Sequence, residues 1–292
     1  YPLIVDYYDG VVVAWLFERK RDETIELKQA FYDEVYTSVL VAFECEPGNV
    51  FVKYRQKQRG VQNQYEKLGQ QAIVKRVTEN GLLFEVNFSD YLDVGLFLDH
   101  RYTRQWVREQ AKGKRVLNLF AYTGSFSCYA AAGAAVSTTT VDMNKGYVAW
   151  AQRNMMLNGF EGRSCDRFVE ENCFAFLKQE TSRNRYDLII CDPPTFSQSK
   201  QMKHCFSVNE DYVELVQDCL RLLAPGGTLM FSTNSKTFKF DQRLFPGVVC
   251  KSFVDALFVS VLPSLTDHHI VTSTPCLTTR VTSVSGVTRI RL

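Results

Sequence analysis

The segment Tyr186-Asp-Leu-Ile-Ile-Cys-Asp-Pro-Pro-Thr-Phe196 constrains the fold more than any other stretch of the chain. Its apolar run reads as a buried parallel strand that stops at a carboxylate. Asp192 then falls where such a strand opens into the crevice of an α/β sheet. Pro193 and Pro194 fix φ and lack N–H donors, so the loop is stiff and its carbonyls point in set directions. Phe196 follows as a flat apolar face at the mouth. Stiff acceptors beside a stacking ring suit a nucleobase held at a reaction centre, and this reading is preferred to a tight turn capped by a core phenylalanine.

The surrounding pattern supports such a sheet. Val116 to Phe120, the Thr-rich run Val136 to Val141, Tyr186 to Cys191 and Thr228 to Ser232 read as strands. Helical stretches follow Ser125 and cover Lys145 to Asn158, Asn172 to Glu180 and Asp211 to Leu223. Short loops between alternating strands and helices imply a doubly wound parallel sheet, an α/β class fold. Upstream the pattern differs. Asp9-Gly10 and Asn80-Gly81 each sit between strand-like runs, a hairpin signal. Thr24 to Phe43 has Ile25, Phe31, Val35, Val39 and Ala42 roughly on one helical face. The expected division is a small α+β module over 1–98 and a Rossmann-like domain over 99–292. Within the latter, 246–292 has no clear assignment, and Thr272 to Thr288 carries nine Ser or Thr in seventeen positions.

The net charge of +2 decides little, but its distribution is uneven. Lys53 to Arg76 holds seven Lys or Arg against one acidic residue, Glu66, an excess suited to a nucleic-acid backbone. Lys53, Arg55, Lys57 and Arg59 alternate, so a strand sets all four on one face to track phosphates, with Tyr65 and Lys67 nearby. The competing reading is a charged, solvated strand edge. The nine cysteines show no Cys-x-x-Cys and no His at metal spacing. Reduced thiols in the cytoplasm and no metal are therefore expected, and no apolar run reaches the ~20 residues that span a bilayer. The chain starts at Tyr1 rather than Met, which suggests a piece of a longer polypeptide.

Asn118-Leu-Phe-Ala-Tyr-Thr-Gly124 carries one useful glycine rather than a Gly-x-Gly-x-x-Gly fingerprint, which weighs against a dinucleotide pyrophosphate. Asp142 ends the next strand, where a carboxylate can accept both ribose hydroxyls of an adenosine ligand. An N-cap role is the alternative. Together they describe an adenosine pocket without a phosphate cradle, which fits S-adenosylmethionine. His100 and His204 have no evident partner, so surface or structural roles are expected for both.

The stretches VKYRQKQRGVQNQYEKLG, DYLDVGLFLDHR, VLNLFAYTGS, STTTVDMN, ICDPPTFSQSK and LAPGGTLMFSTN resemble the C-terminal half of the bifunctional large-subunit rRNA methyltransferase family RlmKL. The resemblance runs from about Tyr1 to Phe240. It implies a class I methyltransferase fold preceded by a small RNA-binding module, with 23S rRNA or a large-subunit precursor as partner. It also implies an upstream methyltransferase half in the full-length chain. On this sequence it assigns Asn118, Phe120, Tyr122 and Gly124 to the methionine side of the cofactor and Asp142 to the ribose. Asp192 and Pro193 would flank the reacting methyl, and Arg101 would pair with the cofactor's carboxylate. Asn172 stands where the family tends to have an aspartate near the adenine amine.

The activity implied is methylation of guanine N7 in 23S rRNA, with Asp192, Pro193, Pro194 and Phe196 orienting a flipped-out base. N7 loses no proton on methylation, so no general base is needed. One rival is 5-methylcytidine formation, which requires a cysteine nucleophile. The loop Ser232-Thr-Asn-Ser-Lys236 offers none. A second rival is a non-catalytic RNA-binding half, and an NAD-dependent oxidoreductase is weaker for want of the glycine fingerprint.

Overall fold

The computed structural model describes residues 3–17, 24–55, 71–181, 185–197, 205–235, 237–253, 256–261 and 287–291. The chain divides into two compact units, residues 1–99 with 275–292, and residues 100–274.

In the first unit, β1 (Leu3–Tyr8) and β2 (Val11–Phe17) form an antiparallel pair. Their turn places Asp9 and Gly10 at φ 44° and 87°, the positive pair that an Asp-Gly hairpin turn demands. Helix α1 (Ile25–Phe43) starts at Thr24, whose side chain accepts from Leu27 N at 3.3 Å. It buries Phe31, Val35 and Val39 against Val5, Val12, Ala14, Leu16 and Val50. Each such side chain contributes about 1.5–3 kcal/mol when fully removed from water. The apolar face is shorter than the sequence suggests: Ile25 is 81% exposed and Ala42 is exposed as well. Strand β3 (Val50–Arg55) pairs parallel to β2. β4 (Val74–Glu79) and β5 (Leu82–Asn87) form the second hairpin, on Asn80-Gly81.

The second unit is built around a seven-stranded sheet. Its elements are α2 (Arg101–Gln110), β6 (Arg115–Leu119), α3 (Ser125–Ala132), β7 (Ser137–Asp142), α4 (Lys145–Leu157), β8 (Arg167–Glu170), α5 (Cys173–Gln179) and β9 (Tyr186–Cys191). A two-residue ribbon, β10 (Phe196–Ser197) with β11 (Phe206–Ser207), leads into α6 (Val208–Leu222). Then come β12 (Leu223–Phe231), β13 (Val248–Phe253) and β14 (Ala256–Val261). The strand order is β13-β14-β12-β9-β6-β7-β8, with β14 antiparallel to both of its neighbours.

Both sheet faces are covered, which explains the near-continuous apolar strands. Val116, Leu188, Ile190 and Met230 pack with Val107 of α2, Ala111 just after it, and Phe126 and Ala130 of α3. Leu117, Leu119, Ile189, Cys191, Leu229 and Phe231 turn the other way, toward α5 and α6.

The structure alters the expected outline in three places. The short strand β8, Arg-Phe-Val-Glu, has no counterpart in the sequence reading: four residues with charged ends give too little pattern. The last sheet edge, obscure in sequence beyond Phe240, is the β13–β14 hairpin. The final strand, β15 (Val287–Arg291), pairs antiparallel with β1, and 275–292 groups with the first unit rather than continuing the sheet domain.

Candidate active site

Strand register assembles the site. Phe231, Cys191, Leu119 and Val141 form paired positions across β12, β9, β6 and β7. One residue further, each strand ends, and Ser232, Asp192, Phe120 and Asp142 follow at the carboxyl edge. β6 leads through α3 to β7 on one side, while β9 lies on its other side, so the reversal of strand order falls between β6 and β9. Ligands bind at such reversal points. Two strand spacings, roughly 10 Å, separate the β9 and β7 ends.

The turn after β6 is held in an unusual backbone conformation. Phe120, Tyr122 and Gly124 have φ of 53°, 50° and 71°. Tyr122 N donates to Asp142 Oδ2 and Asn144 N to Asp142 Oδ1, each at 2.9 Å. Each Asp142 oxygen thus keeps one lone pair for a ligand. Burial pushes the Asp142 carboxyl up to about 6, against the lowering by those two N–H groups. The N-cap of α4 is Asn144, which accepts from Gly146 N and Tyr147 N, so Asp142 is not the cap. Gly124 is glycine for a reason other than ligand approach. A Cβ there would lie 2.5 Å from Ala151 Cβ, so it lets α4 pack against the turn. Asn118 is buried and donates to Ser127 Oγ at 3.0 Å, which in turn bonds Thr140 Oγ1 at 2.7 Å. It braces the turn from beneath. Phe120 packs between Phe174 and Phe206, and Tyr122 lies edge-on to Tyr147.

Asn172 has a structural role of its own. It is the N-cap of α5, and its Oδ1 accepts from Phe174 N at 2.9 Å and Ala175 N at 3.3 Å. Both acceptor positions of that oxygen are committed, so the amide group left for a ligand is the NH2 donor.

Asp192 is the centre of the second half of the site. Ser232 donates to its Oδ1 at 2.7 Å, and His100 Nε2 lies 3.3 Å from its Oδ2. Burial raises its carboxyl, but the charge and hydrogen bond of His100, the Ser232 hydroxyl and the nearby Arg104 guanidinium outweigh that and hold it below the ordinary carboxylate value. The side chain remains 25% accessible. Pro193 is buried and Pro194 half-buried, while Phe196 is 65% exposed. The ring is held by the ribbon, where Phe196 pairs with Ser207, and by Val208 N donating to Thr195 O at 3.1 Å.

His100 corrects the sequence reading, which gave it no partner. It is buried, precedes α2, and lies edge-on to Phe126 with ring centroids 5.6 Å apart. Arg104, 1% exposed and over the Tyr129 ring, and Ser232 were equally missed. Arg104 did leave a signal: it shares the buried helical face of Thr103 and Val107, where a cation needs a counter-charge. Arg101 opens α2 beside His100 and is half-buried.

The row of cations in the first unit is only partly described. Lys57, Arg59, Tyr65 and Lys67 lie outside the described residues, as does His204. Lys53 and Arg55 are engaged internally. Lys53 donates to the carbonyls of Tyr91 and Leu92, Arg55 pairs with Asp93, and both lie over the Trp15 ring, at 5.6 and 4.5 Å. Their charges face the module's own groups, which weakens the phosphate-tracking expectation for these two. Among the described residues no group of three or more His, Cys, Asp or Glu is placed to hold a metal, and no helix is long and apolar enough to cross a membrane.

A doubly wound sheet with a carboxylate ending β7, a single-glycine turn after β6 and an Asp-Pro-Pro loop after β9 has the fold of a class I methyltransferase. A family model described as S-adenosylmethionine-dependent methyltransferase matches residues 2–248, and the chain belongs to that family. A protein of Hahella chejuensis named "Ribosomal RNA large subunit methyltransferase K/L" is 46% identical over 247 residues, covering 84% of this chain and 33% of that protein. A Vibrio cholerae protein of the same name is 43% identical over 243 residues, covering 83% and 34%. The chain thus spans about a third of the length of these relatives. Among solved structures, SMU.776 complexed with SAH superimposes with TM-score 0.69 at 24% identity, over 89% of this chain and 72% of that one. A SAM-dependent methyltransferase from Agrobacterium tumefaciens gives 0.60 at 20% identity, over 90% of each chain. Both show a shared fold.

The residues present fit S-adenosylmethionine. The Asp142 oxygens are oriented acceptors for a diol, and no phosphate cradle follows β6. Phe120, Tyr122 and Gly124 shape that turn with their positive φ angles.

Proposed function

We propose that this chain methylates N7 of a guanine in 23S rRNA, acting in the cytoplasm on that RNA or a large-subunit precursor. It would do so as the C-terminal part of a longer large-subunit rRNA methyltransferase whose upstream half carries a second activity. The observation that carries the reading is the Asp192 carboxylate, kept ionised and fixed by Ser232 at the edge of β9, in the same loop as the exposed Phe196 ring. Kinship with the K/L relatives supports the rRNA substrate.

Bound S-adenosylmethionine supplies a methyl group on a sulfonium; a C–N7 bond forms as the C–S bond breaks, and the electron pair leaves with sulfur as S-adenosylhomocysteine. Asp142 would hold the ribose, and the turn from Phe120 to Gly124 the methionine portion. Asp192, acceptor-only in its ionised form, suits the N1–H and N2–H2 donors of guanine, leaving N7 free to face the methyl. Phe196 stacks on the extruded base. Extrusion costs a few kcal/mol, and stacking contributes about 1–3 kcal/mol per base toward offsetting it. Orientation does the remaining chemistry, because N7 releases no proton; well-placed reactants gain roughly 7–11 kcal/mol in this way. The first unit would hold flanking RNA.

A 5-methylcytidine reaction fits less well. The loop Ser232–Lys236 that follows β12 holds no cysteine, and the Cys191 thiol beside Asp192 is fully buried, which pushes it well above its ordinary value and away from the thiolate form. The deciding experiment is nucleoside mass spectrometry on unmodified 23S rRNA incubated with the chain and S-adenosylmethionine. A 7-methylguanosine peak, lost in Asp192→Ala, is expected. A 5-methylcytidine peak overturns the base assignment, and no product with cofactor still bound favours a non-catalytic half.

A further inference from the structure

The strongest unassigned group is the buried histidine behind Asp192. His100 Nδ1 lies 3.0 Å from Thr103 Oγ1, and that hydroxyl donates to His100 O at 2.9 Å. A hydroxyl has a single proton, so with its proton on the carbonyl it accepts from Nδ1–H. The other ring nitrogen, Nε2, faces a carboxylate oxygen at 3.3 Å, which attracts it only as N–H. The network therefore assigns protons to both nitrogens, an imidazolium paired with Asp192. Among the described residues the ring faces the Asp192 carboxylate, the Arg104 charge acts on the same carboxylate, Phe126 of α3 presents its ring edge-on, and Ser232 fixes the far oxygen.

We infer that His100 is a positioning residue. It pins one oxygen of Asp192 while Ser232 pins the other, so the carboxylate presents a single fixed edge to the target base. The inference rests on the proposed role of Asp192 as the base-orienting group, and it assigns to His100 no proton transfer and no contact with substrate. The physical reason is entropy. An aspartate after a strand end has free χ angles, and an acceptor that wanders by an ångström misplaces the attacking nitrogen. Two partners from different elements, one from the start of α2 and one from the end of β12, remove that freedom before substrate arrives. The sheet core behind α2 keeps that helix, and hence the ring, from shifting.

Two measurements test this on the intact chain. In the first, ring-nitrogen NMR of histidine-labelled protein at pH 7.5 reads His100 directly, with His100→Gln giving the assignment. Both nitrogens should bear protons, and Asp192→Asn should convert the ring to a neutral form. A neutral ring in the unsubstituted protein, or one indifferent to Asp192→Asn, overturns the inference without any activity assay.

The second is a double-mutant cycle read by product mass spectrometry and S-adenosylhomocysteine titration. His100→Gln should lower kcat about 10- to 100-fold, the range expected for a coupled buried pair. The dissociation constant for S-adenosylhomocysteine should stay within about twofold, and in the Asp192→Asn background the same change should cost less than about threefold. Equal losses in both backgrounds, or a loss confined to cofactor affinity, overturn it. The identity of the methylated nucleoside is scored separately. A product other than 7-methylguanosine defeats the proposed reaction yet leaves the cycle readable, and if no product forms, the NMR result decides.

Discussion

The backbone N–H of Tyr122 donates to Asp142 Oδ2 at 2.9 Å, so the carboxylate that ends β7 also fixes the left-handed turn that follows β6. Under the proposed roles, ribose binding by Asp142 and the methionine-side turn are coupled through that one bond. Burial holds Asp142 up at about 6, so its proton is taken up within the working range of many assays. Affinity for S-adenosylhomocysteine should fall as pH drops through about 6, because the protonated group loses charge and an acceptor. Asp142→Asn should weaken binding at pH 8 by at least tenfold, as for a lost hydrogen bond to a charged group, and flatten the pH profile. Titration calorimetry between pH 5 and 8 checks both.

The same carboxyl makes an opposite prediction for stability. Its folded-state value lies above the ordinary 3.8, so the folded protein binds this proton more tightly than the unfolded chain. Its contribution is fully present below about 3.8 and is lost as pH rises through about 6. Asp142→Asn should therefore show a smaller decline in stability between pH 4 and 7 than the unsubstituted protein. Urea titrations at fixed pH values measure the difference.

Gly124→Ala should be among the more damaging single-methyl changes in the chain. The φ of 71° disfavours any L side chain, and the added Cβ would lie 2.5 Å from Ala151 Cβ and 3.1 Å from its Cα. The contact is with helix backbone, which cannot rotate aside. A loss of about 2 kcal/mol or more in stability is expected, from strain and overpacking combined. The variant should also bind S-adenosylhomocysteine more weakly, since α4 and the turn must separate.

What was legible in the sequence follows local rules. The Asp-Gly and Asn-Gly hairpins, the apolar strands and the carboxylates ending β7 and β9 each announce themselves within a few residues. The partners of Asp192 do not. His100 and Ser232 reach it from different elements, so no local period marks them, and only the folded register of β12 against β9 brings Ser232 alongside. The cap role of Asn172 was hidden for a related reason: an amide after a strand reads equally as a ligand acceptor and as a helix cap, and the adjacent α5 amides claim the oxygen. The alternating cations of β3 show a further limit of local pattern. Alternation put Lys53 and Arg55 on one face, but that face carries Trp15, the Tyr91 and Leu92 carbonyls and Asp93.

Lys53 gives a prediction that separates these roles. Desolvation lowers its ammonium to about 8, against the opposing pull of Asp93, so part of its charge is lost near neutral pH. With the folded value below the ordinary 10.5, the folded state holds this proton less tightly than the unfolded chain. Stability from this site should rise as pH goes from about 8 toward 10.5, and Lys53→Met should remove that rise. The same variant should leave the slope of log RNA affinity against log salt nearly unchanged. A residue that neutralises one phosphate would reduce that slope by about one.

Phe196 is the clearest case of a side chain whose cost in the folded protein points outward. At 65% exposure it buries little of its ring, yet the residues on either side are ordered by the ribbon and by the Thr195–Val208 hydrogen bond. Phe196→Ala should therefore leave the melting temperature and the S-adenosylhomocysteine dissociation constant nearly unchanged. Loss of base stacking, worth about 1–3 kcal/mol, should lower kcat/KM for rRNA by roughly 5- to 150-fold. Phe196→Trp should retain most activity, because any flat ring supplies the stacking face, whereas Phe196→Leu should behave like alanine despite its similar hydrophobicity. Steady-state methylation of unmodified 23S rRNA by the three variants makes the comparison. Equal activity of the tryptophan and leucine variants would show that the ring acts as a hydrophobic wedge rather than as a stacking platform.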